Sequence, residues 1–381
     1  MNSALILFWL SVAFIGYVYV GYPLLLWLLT AFLRPPQEKR ATVPTVSLLV
    51  AAYNEAEVIE AKIRNALALD YPTDRLEIVI ASDGSSDRTS QIACAVMESE
   101  GRNRVRVLDF REHQGKIATL NQAVPQLHGD IIVFSDASSI LASDSVRRLM
   151  TNFADPQVGA ASGVYRVLRR DQGQLGYQED LYWKYETFLK VQEAKLGCVL
   201  GAHGSMFAVR KELYPFPAPN IINDDFIIPV RVLQQGWKVA YEPRAVAYEE
   251  AHEMEGFGRR VRIARGNVEQ LSEIRGLLRP LHPFALLCFL SHKAGRLFAP
   301  LAMIVLGFSN LFLRSPWYAF CGGAQVLFYS LALGGALFPL KPKFLRLPFY
   351  FCMINAALFV WMCRLARPQS SPDSSGVIWT G

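Results

Sequence analysis

The sequence predicts an α/β chain in which a Rossmann-like domain is embedded between transmembrane helices. Hydrophobic residues make up 52% of the 381 residues and the mean hydropathy is +0.20, both high for a soluble enzyme, with the apolar excess at the two ends. Between the ends, strand-length apolar runs alternate with helical patterns from Thr45 onward. Such alternation is typical of a largely parallel sheet with helices on its faces, and ligands there bind beyond the carboxyl ends of the strands.

The N-terminal apolar segment, residues 4–33, carries no charge and exceeds the roughly 20 residues that a membrane helix needs. It is longer than a signal-peptide core and lacks a small-residue cleavage pattern, so we expect it to be retained. Arg34, Lys39 and Arg40 follow it, and the positive-inside tendency predicts that the next residues are cytoplasmic. We assign residues 1–34 to a transmembrane helix and the proline-containing residues 35–44 to a linker.

The middle domain is expected to cover residues 45–252. In its first half the periodicity predicts strands at 46–52, 76–82, 104–108 and 130–134 and helices at 55–69, 87–97 and 116–127. The second half is less regular, with strands expected at 158–167, 205–209, 238–241 and 245–248 and helices at 177–195 and 227–235.

The C-terminal part is expected to return to the membrane. Residues 253–296 form a basic amphipathic stretch that suits helices lying along the interface, 297–367 contain three apolar segments, and 368–381 form a tail. Lys341, Lys343 and Arg346 mark the loop before the last segment as cytoplasmic. The side on which the tail lies is left open.

Cysteine spacing and charge exclude several classes of protein. The six cysteines show no CxxC or His-paired spacing, so neither a zinc site nor a disulfide framework is indicated. The net charge is +6, and the most concentrated basic stretch, 259–279, abuts the C-terminal apolar region. That position suits an anionic membrane surface or a phosphate-bearing substrate, and we expect no nucleic-acid partner.

Polar residues follow the first two predicted strands at the edge where ligands are expected. Tyr53, Asn54 and Glu55 end the first strand and suit contact with a nucleoside, although such a loop is also typical of a turn and helix cap. Asp83 ends the second strand and has no evident structural task, so it is a nucleotide-binding candidate. Asp87 is better explained as the N-cap of the next helix.

Lys116 and Asp136 are candidates for binding a diphosphate and its cation. A lysine near a helix N-terminus opposes the helix dipole, and a bound diphosphate would explain its presence there; an ordinary exposed lysine is the alternative. Asp136 follows the fourth strand, and Mg²⁺ or Mn²⁺ on a nucleotide needs only one or two protein carboxylates. A simple turn is the alternative for Asp136.

The adjacent acids Asp224 and Asp225 open an amphipathic run. They can serve as helix caps, or one of them can act as a base. Gly204 and Ser205 lie in a glycine-rich stretch that suits close approach to an acceptor or, alternatively, a tight turn.

The remaining candidates are a pair of arginines and two histidines. Arg262 and Arg265 share one helical face and suit either lipid head groups or a departing diphosphate. His203 and His252 are better explained as core or surface residues than as metal ligands.

With these residues laid out, the chain resembles the membrane-integrated glycosyltransferases of family 2, which include cellulose, chitin, hyaluronan and exopolysaccharide synthases. The resemblance implies a GT-A-type domain between membrane helices. It also implies roles for the candidates: nucleoside contacts from Tyr53, Asn54, Glu55 and Asp83, diphosphate contact from Lys116, metal binding by Asp136, and Asp225 as base beside Asp224. The interface-helix motif of the family corresponds to Arg262 through Gly266.

Three departures from the family pattern stand out. The DxD motif reads Asp136-Ala-Ser138, the acid before the base is Asp224 where the family has Glu, and the interface motif lacks its Gln and has Gly266 where the family has Trp. Since that tryptophan accompanies processive synthesis in the relatives, chain polymerisation and single-sugar addition both stay open.

The resemblance implies an inverting transferase that moves a sugar from a nucleoside diphosphate sugar, with UDP favoured, to a glycan acceptor in cell-surface polysaccharide synthesis. Transfer of one sugar to a lipid-linked acceptor is the first alternative. A non-catalytic nucleotide-binding subunit of an export system is the second. The expected location is the bacterial inner membrane, with the catalytic domain cytoplasmic and other synthesis or export subunits as possible partners.

Overall fold

A computed structural model describes residues 2–32, 41–101, 103–168, 176–250, 266, 271, 274–277, 283–338 and 343–365. Three residues singled out in the sequence, Arg262, Arg265 and His252, lie outside these ranges. The roles expected for them therefore stay predictions.

One mixed sheet of eight strands forms the centre of the middle domain. Its strands are β1 Val46–Ala52, β2 Leu76–Asp83, β3 Val105–Phe110, β4 Ile131–Phe134, β5 Ile140–Leu141, β6 Val158–Leu168, β7 Phe207–Arg210 and β8 Lys238–Glu250. They lie in the order β3-β2-β1-β4-β7-β6-β8-β5. The first four strands in this order are parallel, while β7 runs antiparallel to both β4 and β6. The parallel half confirms the βαβ pattern expected from the sequence.

The parallel strands are buried on both faces. Every residue of β1 is buried, and alternate residues enter different clusters: Leu48 and Val50 pack on one side, whereas Leu49 and Ala51 pack on the other. A strand covered on both faces has no polar side, and this explains the continuous apolar run in the sequence. The polar candidate residues Asp83 and Asp136 lie at the carboxyl ends of β2 and β4.

Helices cover the sheet and connect it to the apolar ends of the chain. Those before the C-terminal region are α1 Asn2–Gly16, α2 Tyr22–Ala31, α3 Ile59–Leu67, α4 Thr89–Val96, α5 Lys116–Ala123, α6 Ser145–Met150, α7 Gly176–Lys195 and α8 Asp224–Gln234. Those that follow are α9 Ile274–Leu277, α10 Pro283–Cys288, α11 Gly295–Asn310, α12 Pro316–Leu337 and α13 Leu347–Leu365. A π-helical turn, Tyr17–Gly21, joins α1 to α2, and another, Phe289–Ala294, joins α10 to α11.

Four helical stretches of the described chain are long and apolar enough to cross a membrane, namely Ser3–Ala31, Pro283–Asn310, Pro316–Leu337 and Phe344–Cys363. The second begins at Pro283, inside the stretch 253–296 that the sequence suggested for interface helices. His292, Lys293 and Arg296 make this part polar in the sequence, but the fold pairs His292 and Arg296 with acids of α7. The polar residues thus lie where this candidate membrane helix packs on α7 of the middle domain.

The second half of the sheet differs from expectation in two respects. The strands expected at 238–241 and 245–248 are one strand, β8. Ser162 pairs with Tyr241 and Val164 with Val246, so Glu242, Pro243 and Arg244 belong to a bulge in β8, where proline is tolerated. The short elements β5 and α6 were not predicted, since neither is long enough to show periodicity.

Candidate active site

Lys116 lies between two carboxylates at the carboxyl edge of the parallel strands. Its Nζ atom lies 2.7 Å from Oδ1 of Asp136 and 3.0 Å from Oδ2 of Asp224. Burial would lower the pKa of Lys116, but the two carboxylates raise it above its ordinary value, so the ammonium group stays charged. The structure therefore brings together three residues that are far apart in the sequence.

The loop before Lys116 is held by Asp83. Oδ1 of Asp83 accepts a hydrogen bond from the backbone N–H of Gln114 and Oδ2 accepts one from Gly115, each at 2.9 Å. Gly115 has φ +93°, a left-handed conformation that favours glycine, and α5 begins at the next residue. The expectation that Asp83 has no structural task is wrong, because its partners lie 31 and 32 residues away and no local pattern shows them. Its nucleotide role stays a prediction.

Tyr53 and His113 form an aromatic stack beside Asp83. Their ring centroids lie 3.8 Å apart with an angle of 20° between the planes, and Nδ1 of His113 lies 2.9 Å from Oδ2 of Asp83. Flat aromatic surfaces next to a carboxylate suit a nucleobase and its N–H groups. His113 was not predicted as a site residue, because a single histidine in a loop shows no periodicity or motif.

Asn54 joins the loops that follow β1 and β2. It has φ +55°, which asparagine tolerates better than most residues, and its Oδ1 accepts a hydrogen bond from the N–H of Ser86 at 2.8 Å. In the same region Asp87 Oδ1 accepts from the N–H of Thr89 at 2.9 Å, but the N-cap of the helix is Arg88, one residue later than expected, and it forms no side-chain cap bond. The contacts of Asn54 described here are within the protein, and its ligand role stays a prediction.

Lys62 fixes the loop that carries Asp136. This lysine is fully buried, and its Nζ donates to Oγ of Ser135 and to the carbonyl oxygen of Ser139, each at 2.6 Å. Ser135 in turn donates to the carbonyl oxygen of Ser205 at 2.7 Å. Burial lowers the pKa of Lys62 to about 7. The sequence placed Lys62 on an amphipathic helix, where a lysine normally faces solvent, so this function was missed.

The surroundings of Asp136 suit a divalent cation that arrives with a diphosphate. The Asp136 side chain is 31% exposed, and it contributes, together with burial, to raising the pKa of Glu55 to about 7. Among the described residues, no three or more His, Cys, Asp or Glu side chains are arranged to hold a metal ion. One accessible carboxylate in acidic surroundings fits a cation whose remaining ligands are phosphate oxygens and water.

Asp224 and Asp225 begin α8, and they differ in environment. No side-chain cap bond is formed by Asn223, the residue before them. Asp224 is buried, with its Oδ2 in ionic contact with Lys116 but outside hydrogen-bond geometry. Asp225 is partly buried, and burial together with the charge of Asp224 raises its pKa to about 6. A carboxylate with this pKa is ionised at neutral pH and is a better proton acceptor than an exposed aspartate.

The glycine-rich stretch packs directly against these acids. The N–H of Ala202 donates to the carbonyl oxygen of Asp225 at 2.6 Å, and Nζ of Lys190 donates to the carbonyl oxygens of Gly201 and Ala202, both at 3.1 Å. A Cβ atom at Gly204 would lie 3.0 Å from Oδ2 of Asp136, so Gly204 lies beside the expected metal ligand. The stretch is therefore adjacent to both Asp136 and Asp225.

His203 and Ser205, the residues on either side of Gly204, are buried. His203 lies 3.2 Å from the hydroxyl of Tyr241, and burial holds its pKa well below the usual range, so it is a neutral core residue. Oγ of Ser205 has no hydrogen-bond partner among the described residues. The acceptor contacts expected of Gly204 and Ser205 stay predictions.

Gly266 lies against Asn223, immediately before the acid pair. A Cβ atom at Gly266 would lie 2.4 Å from Cγ of Asn223, closer than real contacts allow. The Asn223 side chain thus occupies the space that any larger residue at 266 would enter. A residue with a Cβ atom at 266 would therefore require the end of the Asn223 side chain to move.

A family model described as glycosyltransferase like family 2 matches residues 44–265. Similar proteins include the poly-beta-1,6-N-acetyl-D-glucosamine synthase of Staphylococcus aureus strain COL, which is 30% identical over 233 residues, covering 59% of this chain and 55% of that protein. The synthase of the same name from Staphylococcus epidermidis is 26% identical over 236 residues, covering 60% of this chain and 56% of that protein. The match thus spans about half the length of these curated relatives.

A solved structure with a similar fold is a mannosyltransferase from Pyrobaculum calidifontis in complex with GDP-Man and Mn²⁺. It superposes with a TM-score of 0.72 at 24% sequence identity, covering 94% of this chain and 98% of that protein. Together with the family match, this likeness confirms the GT-A-type fold expected from the sequence.

Proposed function

The chain belongs to glycosyltransferase like family 2, and from this premise we propose that it is an inverting glycosyltransferase that uses a nucleoside diphosphate sugar. The observation that carries the proposal is the position of Lys116 between Asp136 and Asp224, with Asp225 beside them. A cation, an accessible carboxylate and a carboxylate with a raised pKa at one sheet edge are the groups that this reaction needs.

Asp225 acts as the general base. It takes the proton of an acceptor hydroxyl as the oxygen attacks the anomeric carbon of the donor sugar; the bond from that carbon to the diphosphate breaks on the opposite face, and the configuration inverts. Positioned bases of this kind contribute about 10²–10⁴-fold to rate. Asp224 keeps Lys116 in place and raises the pKa of its neighbour through its charge.

The donor is held at the carboxyl ends of β1 and β2. Tyr53 with His113 supplies the flat surface for the base, Asp83 accepts hydrogen bonds from the nucleoside or orders the loop that contacts it, and Lys116 pairs with the diphosphate. Asp136 would hold Mg²⁺ or Mn²⁺, which when bound neutralises charge on the leaving diphosphate. Arg262 and Arg265 complete the proposal as further diphosphate contacts.

We propose a UDP-sugar as the donor and N-acetylglucosamine as the first sugar to test, because the curated relatives bear the name of poly-N-acetylglucosamine synthases. We further propose that the catalytic domain faces the cytoplasm at the bacterial inner membrane, as Arg34, Lys39 and Arg40 after the first span favour. The acceptor is then a cell-surface glycan or its lipid-linked precursor.

The function is tested with the full chain purified in detergent and supplied with UDP-N-acetylglucosamine, UDP-glucose, UDP-galactose or GDP-mannose. Release of the nucleoside diphosphate is measured with Mg²⁺, with Mn²⁺ and with a chelator. We expect metal-dependent release from one UDP-sugar. Binding of UDP without release or transfer from any donor would instead support a non-catalytic nucleotide-binding subunit.

A second candidate, the addition of one sugar to a lipid-linked acceptor, is favoured by Gly266, which stands where the family has the tryptophan that accompanies processive synthesis. A Cβ atom at this position would meet the end of the Asn223 side chain. Electrophoresis of the product from radiolabelled donor distinguishes the candidates: a ladder or smear of long chains supports polymer synthesis, and one discrete product supports single addition.

A further inference from the structure

A partly open cavity of about 650 Å³ lies between α7 and the membrane helices α11 and α13. Its volume is typical of small-molecule sites, which occupy about 300–1,000 Å³. The wall from the membrane helices is mainly apolar and includes Leu297, Phe351, Ile354 and Leu358. Because these helices are apolar and long enough to span a bilayer, this wall suits a hydrocarbon chain.

The other end of the cavity carries excess positive charge. Lys293 and Arg296 line it with the carboxylate of Glu186. Glu186 is already engaged, since it contacts Nη1 of Arg296 and lies 3.2 Å from Nε2 of His292. The cavity therefore combines an apolar wall with a cationic end, which suits an anionic amphiphile.

Arg296 supplies a permanent positive charge at the cavity wall. While Nη1 contacts Glu186, its Nε and Nη2 atoms have no hydrogen-bond partner among the described residues. These two atoms have almost no accessible surface, so they do not face the cavity. What Arg296 offers a ligand is its permanent positive charge, on a side chain that is 17% exposed.

The cationic end also lies next to the proposed catalytic base. Nζ of Lys293 lies 5.6 Å from the ring centroid of Phe226, the residue after Asp225. On α7, Lys190 is one turn from Glu186 and holds the Gly201–Ala202 backbone, whose Ala202 N–H donates to Asp225. A ligand bound at this end would lie close to the residues that carry out transfer.

We propose that this cavity binds the lipid anchor of the acceptor, a hydrocarbon chain with a phosphate head group. The chain lies against Leu297, Ile354 and Leu358, and the phosphate lies at Lys293 and Arg296. This inference rests on the proposed function for the identity of the ligand as acceptor. A neutral glycan chain is the competing occupant, but it carries no negative charge to complement Lys293 and Arg296.

The test measures binding of geranylgeranyl phosphate to the full chain in detergent by native mass spectrometry. Geranylgeraniol, inorganic phosphate, phosphatidylglycerol and an N-acetylglucosamine oligosaccharide are compared at equal concentration. We expect geranylgeranyl phosphate to bind at least about 10-fold more tightly than the other four, since charged hydrogen bonds contribute roughly 10- to 100-fold in affinity. Equal binding of phosphatidylglycerol, or tighter binding of the oligosaccharide, would overturn the proposal.

Three variants locate the site. Lys293→Gln should weaken binding of geranylgeranyl phosphate about 10-fold or more, and Ile354→Trp should abolish it by filling the apolar wall. Leu327→Trp, at a 61% exposed position of α12 outside the cavity lining, should have no effect. UDP affinity is measured for each variant, and if Ile354→Trp fails to bind UDP, Ile354→Phe takes its place.

The outcomes separate the two proposals. Unchanged lipid binding in both Lys293→Gln and the variant at 354 would show that the ligand binds elsewhere. If instead the wild-type chain binds the lipid phosphate as expected but transfers no sugar from any donor, the proposed function fails while the lipid site stands.

Discussion

The Nζ atom of Lys116 lies 2.7 Å from Oδ1 of Asp136, so the cation expected to bind phosphate and the carboxylate expected to bind metal form one ion pair. Both groups are partly accessible, with side-chain exposures of 18% and 31%. A metal–diphosphate complex can satisfy both groups: the metal supplies the positive charge that Asp136 now finds in Lys116, and the phosphate supplies the negative charge that Lys116 now finds in Asp136. The pair thus marks where the leaving group of the proposed reaction binds.

Replacing Lys116 with methionine should weaken UDP binding about 10- to 100-fold, because a charge-assisted contact to the diphosphate is lost. Thermal stability should also fall, since Asp136 and Asp224 are left without their cation. Calorimetric titration with UDP checks the affinity. Lys238→Met removes a half-exposed lysine whose Nζ lies 3.5 Å from Asp155, and it should leave UDP affinity unchanged. Equal affinities in the two variants would argue against the diphosphate role.

Replacing Asp136 with asparagine should raise the Mg²⁺ or Mn²⁺ concentration needed for half-maximal activity by about 10-fold or more, because a neutral amide is a poorer ligand. Titration of nucleotide release against metal concentration gives this value. Asp130→Asn is the matched control, since Asp130 lies just before the opposite end of the same strand and is hydrogen-bonded to Thr45. A metal requirement that is the same in both variants would remove Asp136 from the cation site.

The pH dependence of kcat/KM should show an acidic limb near pH 6. Burial and the neighbouring Asp224 raise the pKa of Asp225 to about 6, and a general base must be ionised to accept a proton. Activity is therefore expected to be full above this pH and to fall about tenfold per unit below it. A profile that stays flat down to pH 4.5, with the fold intact by circular dichroism, would contradict Asp225 as the base.

Gly266 and Asn223 should behave as a coupled pair. Gly266→Ala places a Cβ atom against the end of the Asn223 side chain, so that side chain must move from its present rotamer, at a cost of about 0.5–1.5 kcal/mol. The double variant Gly266→Ala/Asn223→Ala lacks the obstructing asparagine side chain and should regain much of the lost activity and stability. A double-mutant cycle on thermal unfolding and nucleotide release measures the coupling. Additive effects of the two substitutions would show that the contact has no energetic weight.

The first half of the fold was predictable because its signals are local. Strand β1 is a run of seven buried residues, and a nearly continuous apolar run of this length is typical of buried parallel strands. By contrast, β8 contains Glu242, Pro243 and Arg244, which in sequence are typical of a break. The strand continues through these residues as a bulge opposite β6, which no local pattern reveals.

The candidate site was predictable as a set of residue types but not as a set of contacts. Asp83, Lys116 and Asp136 were found because each follows a strand or opens a helix. That Lys116 bridges Asp136 and Asp224 depends on segments 108 residues apart, between positions 116 and 224, meeting at one edge. Lys62 was missed for a related reason: its position on α3 resembles that of a surface lysine, and only the fold buries it.

The central claim is that Asp225 is the base of sugar transfer, and the variant Asp225→Asn tests it most directly. The change keeps the shape of the side chain and removes its ability to accept a proton. We expect UDP affinity and thermal stability close to wild type, and sugar transfer lower by at least about 10²-fold. Asp155→Asn, at an exposed aspartate outside the site, should keep full activity. Transfer by Asp225→Asn at the wild-type rate would contradict the account.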